Sequence, residues 1–183
     1  MKTLTLYGSV LGLALAITTS SAASAATPSP EEAAAKAIAQ CVQHSSSMQS
    51  GMIVKQNTLE LAANGLAWQQ EPPPLLASTK STPYGKADYA EAKVSDGQVW
   101  VVGYANGVCQ VVTVGTQVPP IEKKYLEVFA GPGNWHAERA PSADKGERKL
   151  QYKSQPSRDV KLSALVSMRD DQGFSMVTIN RDR

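Results

Sequence analysis

Apolar positions recur along the chain with two different periods, and the change of period separates helices from strands. Ala34, Ala37, Ile38, Cys41 and Val42 follow spacings of three and four, the stripe of an amphipathic helix running to about Ser46. Ser29-Pro30-Glu31-Glu32 supplies its start. Ser29 can cap, Pro30 suits the first helical position, and Glu32 stands where a capping box takes a carboxylate. The stripe puts Cys41 on the buried face. A second helix is predicted over 57–63, closed by Asn64-Gly65, with Leu59, Leu66 and Trp68 packing inward. Glu71-Pro72-Pro73-Pro74 then forces an extended connection, and 75–86 reads as a loop.

The pattern next shifts towards strands. Three runs, about 88–95, 98–105 and 108–115, are joined by Asp96-Gly97 and Asn106-Gly107, dipeptides that favour two-residue hairpin turns. They predict an antiparallel meander. Two-residue turns set Tyr104 opposite Cys109 and Trp100 opposite Thr113. Tyr89, Glu91, Lys93, Trp100, Val102, Tyr104, Cys109 and Val111 would then share one face, and Ala90, Ala92, Val94, Val99, Val101, Val112 and Val114 the other. That register conflicts with the first helix, because Cys109 must face it to bond Cys41. Either the sheet is covered on both faces or one turn is longer. Partial cover of the cysteine face is the expectation.

Pro119-Pro120 precedes a third helix over about 120–130, with Ile121, Tyr125, Leu126, Val128 and Phe129 on its apolar face and Gly131 as its stop. Strands follow near 135–139, 148–153, 160–168 and 173–180, with Asp170-Asp171-Gln172-Gly173 turning between the last two. The chain therefore reads as α+β. We expect a mostly antiparallel sheet of about six strands with three helices, in the order α-α-βββ-α-βββ, pinned by one disulfide.

The N-terminus reads as an export signal. Lys2 is the only charge before Glu31, residues 4–17 are apolar, and Ala23-Ser24-Ala25 fits the small-x-small cleavage rule. The apolar run is shorter than a spanning helix needs and contains Gly8 and Gly12. Residues 1–25 are thus a signal peptide and 26–183 a single domain, with no stable membrane anchor after cleavage. The 18 basic and 16 acidic residues leave a net charge of +2, without the basic bias of a nucleic-acid binder. In an oxidising compartment, Cys41 and Cys109 are expected to form a disulfide. The competing reading is a nucleophilic cysteine served by His44 or His136.

Chemistry-bearing motifs are sparse. No nucleophile elbow, phosphate loop, zinc-protease helix or dinucleotide fingerprint is present in the sequence. Two histidines cannot build a multi-histidine metal site, so neither metal nor cofactor is expected. His44 with Ser45, Ser46 and Ser47 reads as a polar helix end, and Asp170 and Asp171 as solvated turn residues. The pairs among Glu122, Lys123, Lys124, Arg139, Lys145, Arg148 and Lys149 read as solvated surface. Asn134, Trp135 and His136 follow Gly131-Pro132-Gly133, where side chains often reach a ligand or partner, and are the contact candidates. Strand alternation predicts packing for Trp135 and exposure for His136. Trp68, Trp100 and Trp135 are candidates to converge in one aromatic pocket.

The helix ending near Cys41, the run Ala62-Ala63-Asn64-Gly65-Leu66-Ala67-Trp68 and the strand Gly107-Val108-Cys109-Gln110-Val111 resemble a group of small exported proteins of Gram-negative alphaproteobacteria. The resemblance covers about residues 30–115. It implies a periplasmic location and transfers no functional residue. The first functional expectation is a non-catalytic periplasmic or secreted module that binds a protein partner or small ligand. A variant of it is an inhibitor of a cell-wall-degrading enzyme. The alternative class is a hydrolase using His44 or His136.

Overall fold

The structure is a computed structural model that describes residues 27–47, 58–72, 84–130, 135–155 and 160–182. The export segment 1–25, most of the 72–86 connection and the Gly131-Pro132-Gly133-Asn134 turn lie outside these residues. Helix α1 (Pro30–Ser46) starts as its sequence dictates, with the Glu32 amide donating to Ser29 Oγ at 3.4 Å. Ala33, Ala34, Ala37, Ile38 and Cys41 form its buried stripe. Their small volumes bring α1 close to the sheet beneath it.

Helix α2 (Thr58–Ala63) ends at Asn64-Gly65, and Gly65 takes a φ of 74°. Strand β1 (Leu66–Gln69) follows at once, where the sequence suggested only a helix end and its inward contacts. Leu66 is buried as expected, whereas Trp68 is 40% exposed. Strands β2 (Ala87–Ala92), β3 (Gln98–Tyr104) and β4 (Cys109–Val114) form the expected meander. Helix α3 (Val118–Ala130) carries Pro119 and Pro120 in its first turn, where no intrahelical donor is lost. Strands β5 (Trp135–Glu138), β6 (Arg148–Ser154), β7 (Lys161–Arg169) and β8 (Phe174–Asp182) complete the fold.

One antiparallel sheet results, in the order β1-β2-β3-β4-β8-β7-β6-β5. It has eight strands among the described residues rather than six. The order of elements is α-α-ββββ-α-ββββ. Each half is helix followed by a four-strand meander, and the halves meet where β4 runs antiparallel to β8. Helices α1 and α3 lie against each other on one face.

The β3–β4 register corrects the expectation. Gly103 pairs with Cys109 and Trp100 with Val112, one position away from the two-residue-turn prediction. The turn is three residues long. Gly107 N donates to Tyr104 O at 3.0 Å, Tyr104 N donates to Val108 O at 2.9 Å, and Gly107 sits at φ 87°. This is a type I turn followed by a left-handed residue that bulges the strand. The extra residue flips β4, so Cys109 and Val111 join Val99 and Val101 beneath α1. The Cys41–Cys109 disulfide then closes between helix and sheet.

Both faces of β2–β4 are nonetheless apolar. The main core lies on the helix side, with Ile38, Leu61, Val101, Val111, Tyr125 and Phe129 among its buried members. A second cluster, Tyr89, Trp100, Val102, Tyr104, Val108 and Val112, occupies the opposite side, where Tyr84 packs on Tyr104 at 5.3 Å.

Candidate functional site

Three places gather the residues to which the sequence gave chemical interest. The first is the last turn of α1. Cys41 is bonded to Cys109, so neither offers a free thiol. The His44 ring is buried, and its Nε2 lies 3.2 Å from the Tyr104 carbonyl oxygen. A carbonyl can only accept, so Nε2 carries the hydrogen. Burial holds the His44 pKa below its ordinary value, and the bond to Tyr104 O opposes that shift. Ser45 Oγ points at the carbonyl oxygens of Gly107, at 2.8 Å, and of Ile179, at 3.4 Å. These groups fasten the helix end to the β3–β4 hairpin.

The second place is β5, at one edge of the sheet. Strand alternation separates Trp135 from His136. Trp135 is half-buried and stands edge-on to Phe129, with centroids 5.1 Å apart, and Phe129 stacks on Tyr152 at 5.0 Å. His136 points to the opposite face and is exposed; its Nε2 lies 3.7 Å from Glu138 Oε1. Glu138 also pairs with Lys153 at 3.1 Å. Asn134 lies outside the described residues. The three tryptophans do not converge: Trp68 is on one edge strand, Trp135 on the other, and Trp100 on the side away from the helices.

The third place is a cleft that the sequence did not reveal. Gly65, Leu66, Ala67, Gln69, Glu91 and Lys93 line much of it, with Gly97 and Gln98 from the β2–β3 turn, and its volume is about 410 Å³. The pairings Ala67 with Glu91 and Glu91 with Trp100 put Ala67, Gln69, Glu91 and Gln98 on the sheet face that lacks helices among the described residues. Gln69 Nε2 lies 3.5 Å from Glu91 Oε2. The lining offers a carboxylate, an ammonium group and two amides around small residues. Trp100, the cross-strand neighbour of Glu91, is 5% exposed, and its indole Nε1 has no hydrogen-bond partner among the described residues. The sequence missed this cleft because it depends on β1, whose four residues carry no strand signature of their own. Of its lining, the sequence placed Glu91 and Lys93 on the face shared with Trp100.

Two further polar groupings complete the interior. Thr113 and Ser175 hydroxyls lie 2.7 Å apart, the Tyr125 hydroxyl lies 2.9 Å from Ser175 Oγ, and Thr116 bonds Thr113 at 3.4 Å. Burial pushes the Tyr125 phenol well above its ordinary pKa, against the opposing bonds to Ser175 and Thr113. At the surface, Arg148 joins Glu122 at 2.9 Å and Asp170 at 3.0 Å. No group of three or more potential metal ligands occurs among the described residues. Comparison with protein-family models, with curated proteins and with solved structures finds no match.

Proposed function

We propose that this chain is an exported, non-catalytic binding or interaction module of the periplasm or cell exterior, and that its ligand or partner seats in the β1–β3 cleft. The export reading rests on the N-terminal sequence and is supported by the buried disulfide, a bond that oxidising compartments favour. The observation that carries the binding reading is the cleft itself. It combines one negative group, one positive group and two amides with small wall residues beside the edge strand of the sheet. Such a lining suits a polar ligand with both donors and acceptors, or a polar segment of a partner protein. His44 is engaged with a backbone carbonyl and His136 with Glu138 at the far edge, so neither adjoins the cleft.

Site-specific photo-crosslinking tests this reading. A benzophenone side chain replaces Gln98 at the cleft, or His136 on β5, in protein secreted by its own cell. Intact mass should show an adduct from position 98 that Glu91→Gln and Lys93→Gln together suppress. An adduct from position 136 alone would move the contact to β5. No adduct from either position would sink the binding reading.

A further inference from the structure

The Cys41–Cys109 bridge has no exposed surface at either cysteine. It lies between the inward face of α1 and the helix side of β4, so a reductant reaches it only when the end of α1 lifts. Three side chains hold that end down. His44 Nε2 donates to Tyr104 O, Ser45 Oγ to Gly107 O, and Arg181 Nη2 reaches Ser46 O at 2.9 Å and Ser47 O at 3.0 Å. Two of the four acceptors, Tyr104 O and Gly107 O, belong to the hairpin that carries Cys109.

We propose that the last turn of α1 is a proton-operated latch over the Cys41–Cys109 disulfide, with His44 as its proton-sensing residue. Docked, the ring is neutral and donates one hydrogen to a carbonyl. A second proton places a cation in a buried setting, a cost that the bond to Tyr104 O only partly offsets. Strands β3 and β4 contain no acidic or basic side chain. Strand β8 brings Arg181, already spent on Ser46 and Ser47, and Asp182 at its end. On β7, Lys161 and Arg169 alternate away from the buried Leu162 and Met168. Helix α3 brings Glu122, Lys123, Lys124 and Glu127, and Lys124 feels Glu31 and Glu32 at the other end of α1. Asp88 is buried on the helix side of β2, directly across from Gly103, the neighbour of Tyr104. The lowered pKa of His44 comes from burial, offset in part by Tyr104 O.

The sign follows from linkage. The docked pKa lies below 6.5 and the undocked ring returns to about that value. His44 therefore favours docking fully above about pH 6.5. That contribution is lost as pH falls from there through the docked pKa. Acidification raises the population of the open end and so the rate at which the bridge is reduced.

The test uses the mature, oxidised protein and a water-soluble phosphine. The phosphine attacks one sulfur, the S–S bond breaks, and water supplies the oxygen of the phosphine oxide as two thiols form. Rates are measured between pH 7.5 and 5 and normalised to reduction of oxidised glutathione under the same conditions. The normalised rate should rise several-fold on acidification. His44→Gln keeps a donor for Tyr104 O but cannot titrate, and should flatten the profile. Ser45→Ala should raise the rate at every pH and preserve the profile's shape. A profile unchanged in His44→Gln would overturn the proposal. So would a rate that tracks global unfolding in urea, because the bridge would then open only when the whole domain does.

Discussion

Gly97 and Gly107 both end hairpin turns in the left-handed region, at φ 67° and 87°, yet the structure surrounds them differently. A methyl on Gly107 would meet nothing within 4 Å. A methyl on Gly97 would lie 2.5 Å from Thr116 Cγ2, 2.6 Å from Val114 O and 2.9 Å from Gly115 O. Two of those three atoms are backbone and cannot rotate away. Gly107→Ala should therefore cost only the strain of an L-residue in this conformation, ~1–2 kcal/mol. Gly97→Ala should add overpacking against the β4–α3 connection, roughly 1–3 kcal/mol more.

Urea unfolding of the oxidised protein measures the difference through the midpoint, provided the slope is unchanged. Gly97→Ala should have the lower midpoint by a clear margin. It should also disturb the cleft, because Gly97 is part of its wall. Equal losses from the two substitutions would refute the reasoning, since conformation alone would then account for both. A larger loss at Gly107 would show that the three-residue turn, not the crowding, is the more demanding feature.

Other substitutions test separate parts of the structure. Trp135→Ala should cost about 2–3 kcal/mol, less than for a fully buried aromatic, because the ring is only half-buried against Phe129. His136→Ala should stay within about 0.5 kcal/mol by the same denaturation assay; the reverse ranking would contradict their placement. Ser175→Ala should cost more than Tyr125→Phe, roughly 1–3 against about 1 kcal/mol, because it removes the bonds of both Tyr125 and Thr113. A thermal-melt series in which Tyr125→Phe is the worse variant would dismiss the hydroxyl network as the cause. Replacing both cysteines by alanine should lower stability by about 4 kcal/mol on the chain-entropy account of a bridge spanning 68 positions. A loss under about 1 kcal/mol would mean that the unfolded chain gains little freedom without the bridge.

The sequence was most legible where a single period ruled. The start of α1, its buried stripe and the position of Cys41 followed from spacing and capping alone. In β7, Leu162, Ala164 and Val166 alternate with Ser163 and Leu165, and the strand formed almost where alternation placed it. Legibility failed in two physical situations. Strand β1 is four residues long and sits directly against a short helix, so neither period had room to show. Strand β3 is apolar at nearly every position, and a run without alternation does not report its own register. The turn chemistry had to decide. Asn106-Gly107 permits both a two-residue turn and a longer one with glycine in the left-handed position. Only the need to bring Cys109 under α1 distinguishes them.

That same absence of alternation bears on function. The two halves share one architecture, but their helix-free sides differ. In the first half this side carries Tyr89, Trp100, Val102 and Tyr104. In the second, β6 and β7 present Lys149, Gln151, Lys153, Ser163 and Ser167 on the same side, by the register of their pairing. Antiparallel strands need only one apolar face to hold a core, and β6 and β7 come closer to that economy, with Leu165 the apolar residue among these polar ones while Phe174 and Met176 of β8 join the second cluster. The first half exceeds it. An apolar second face is unnecessary for attaching α1, which already has the valine side and the disulfide. Tyr89, Trp100, Val102, Tyr104 and Val112 are buried on that face and make a second core, and the cleft with Glu91 and Lys93 lies beside Trp100. On the binding reading proposed above, the half with two apolar faces, whose turn and edge strand line the cleft, is where ligand recognition should be sought.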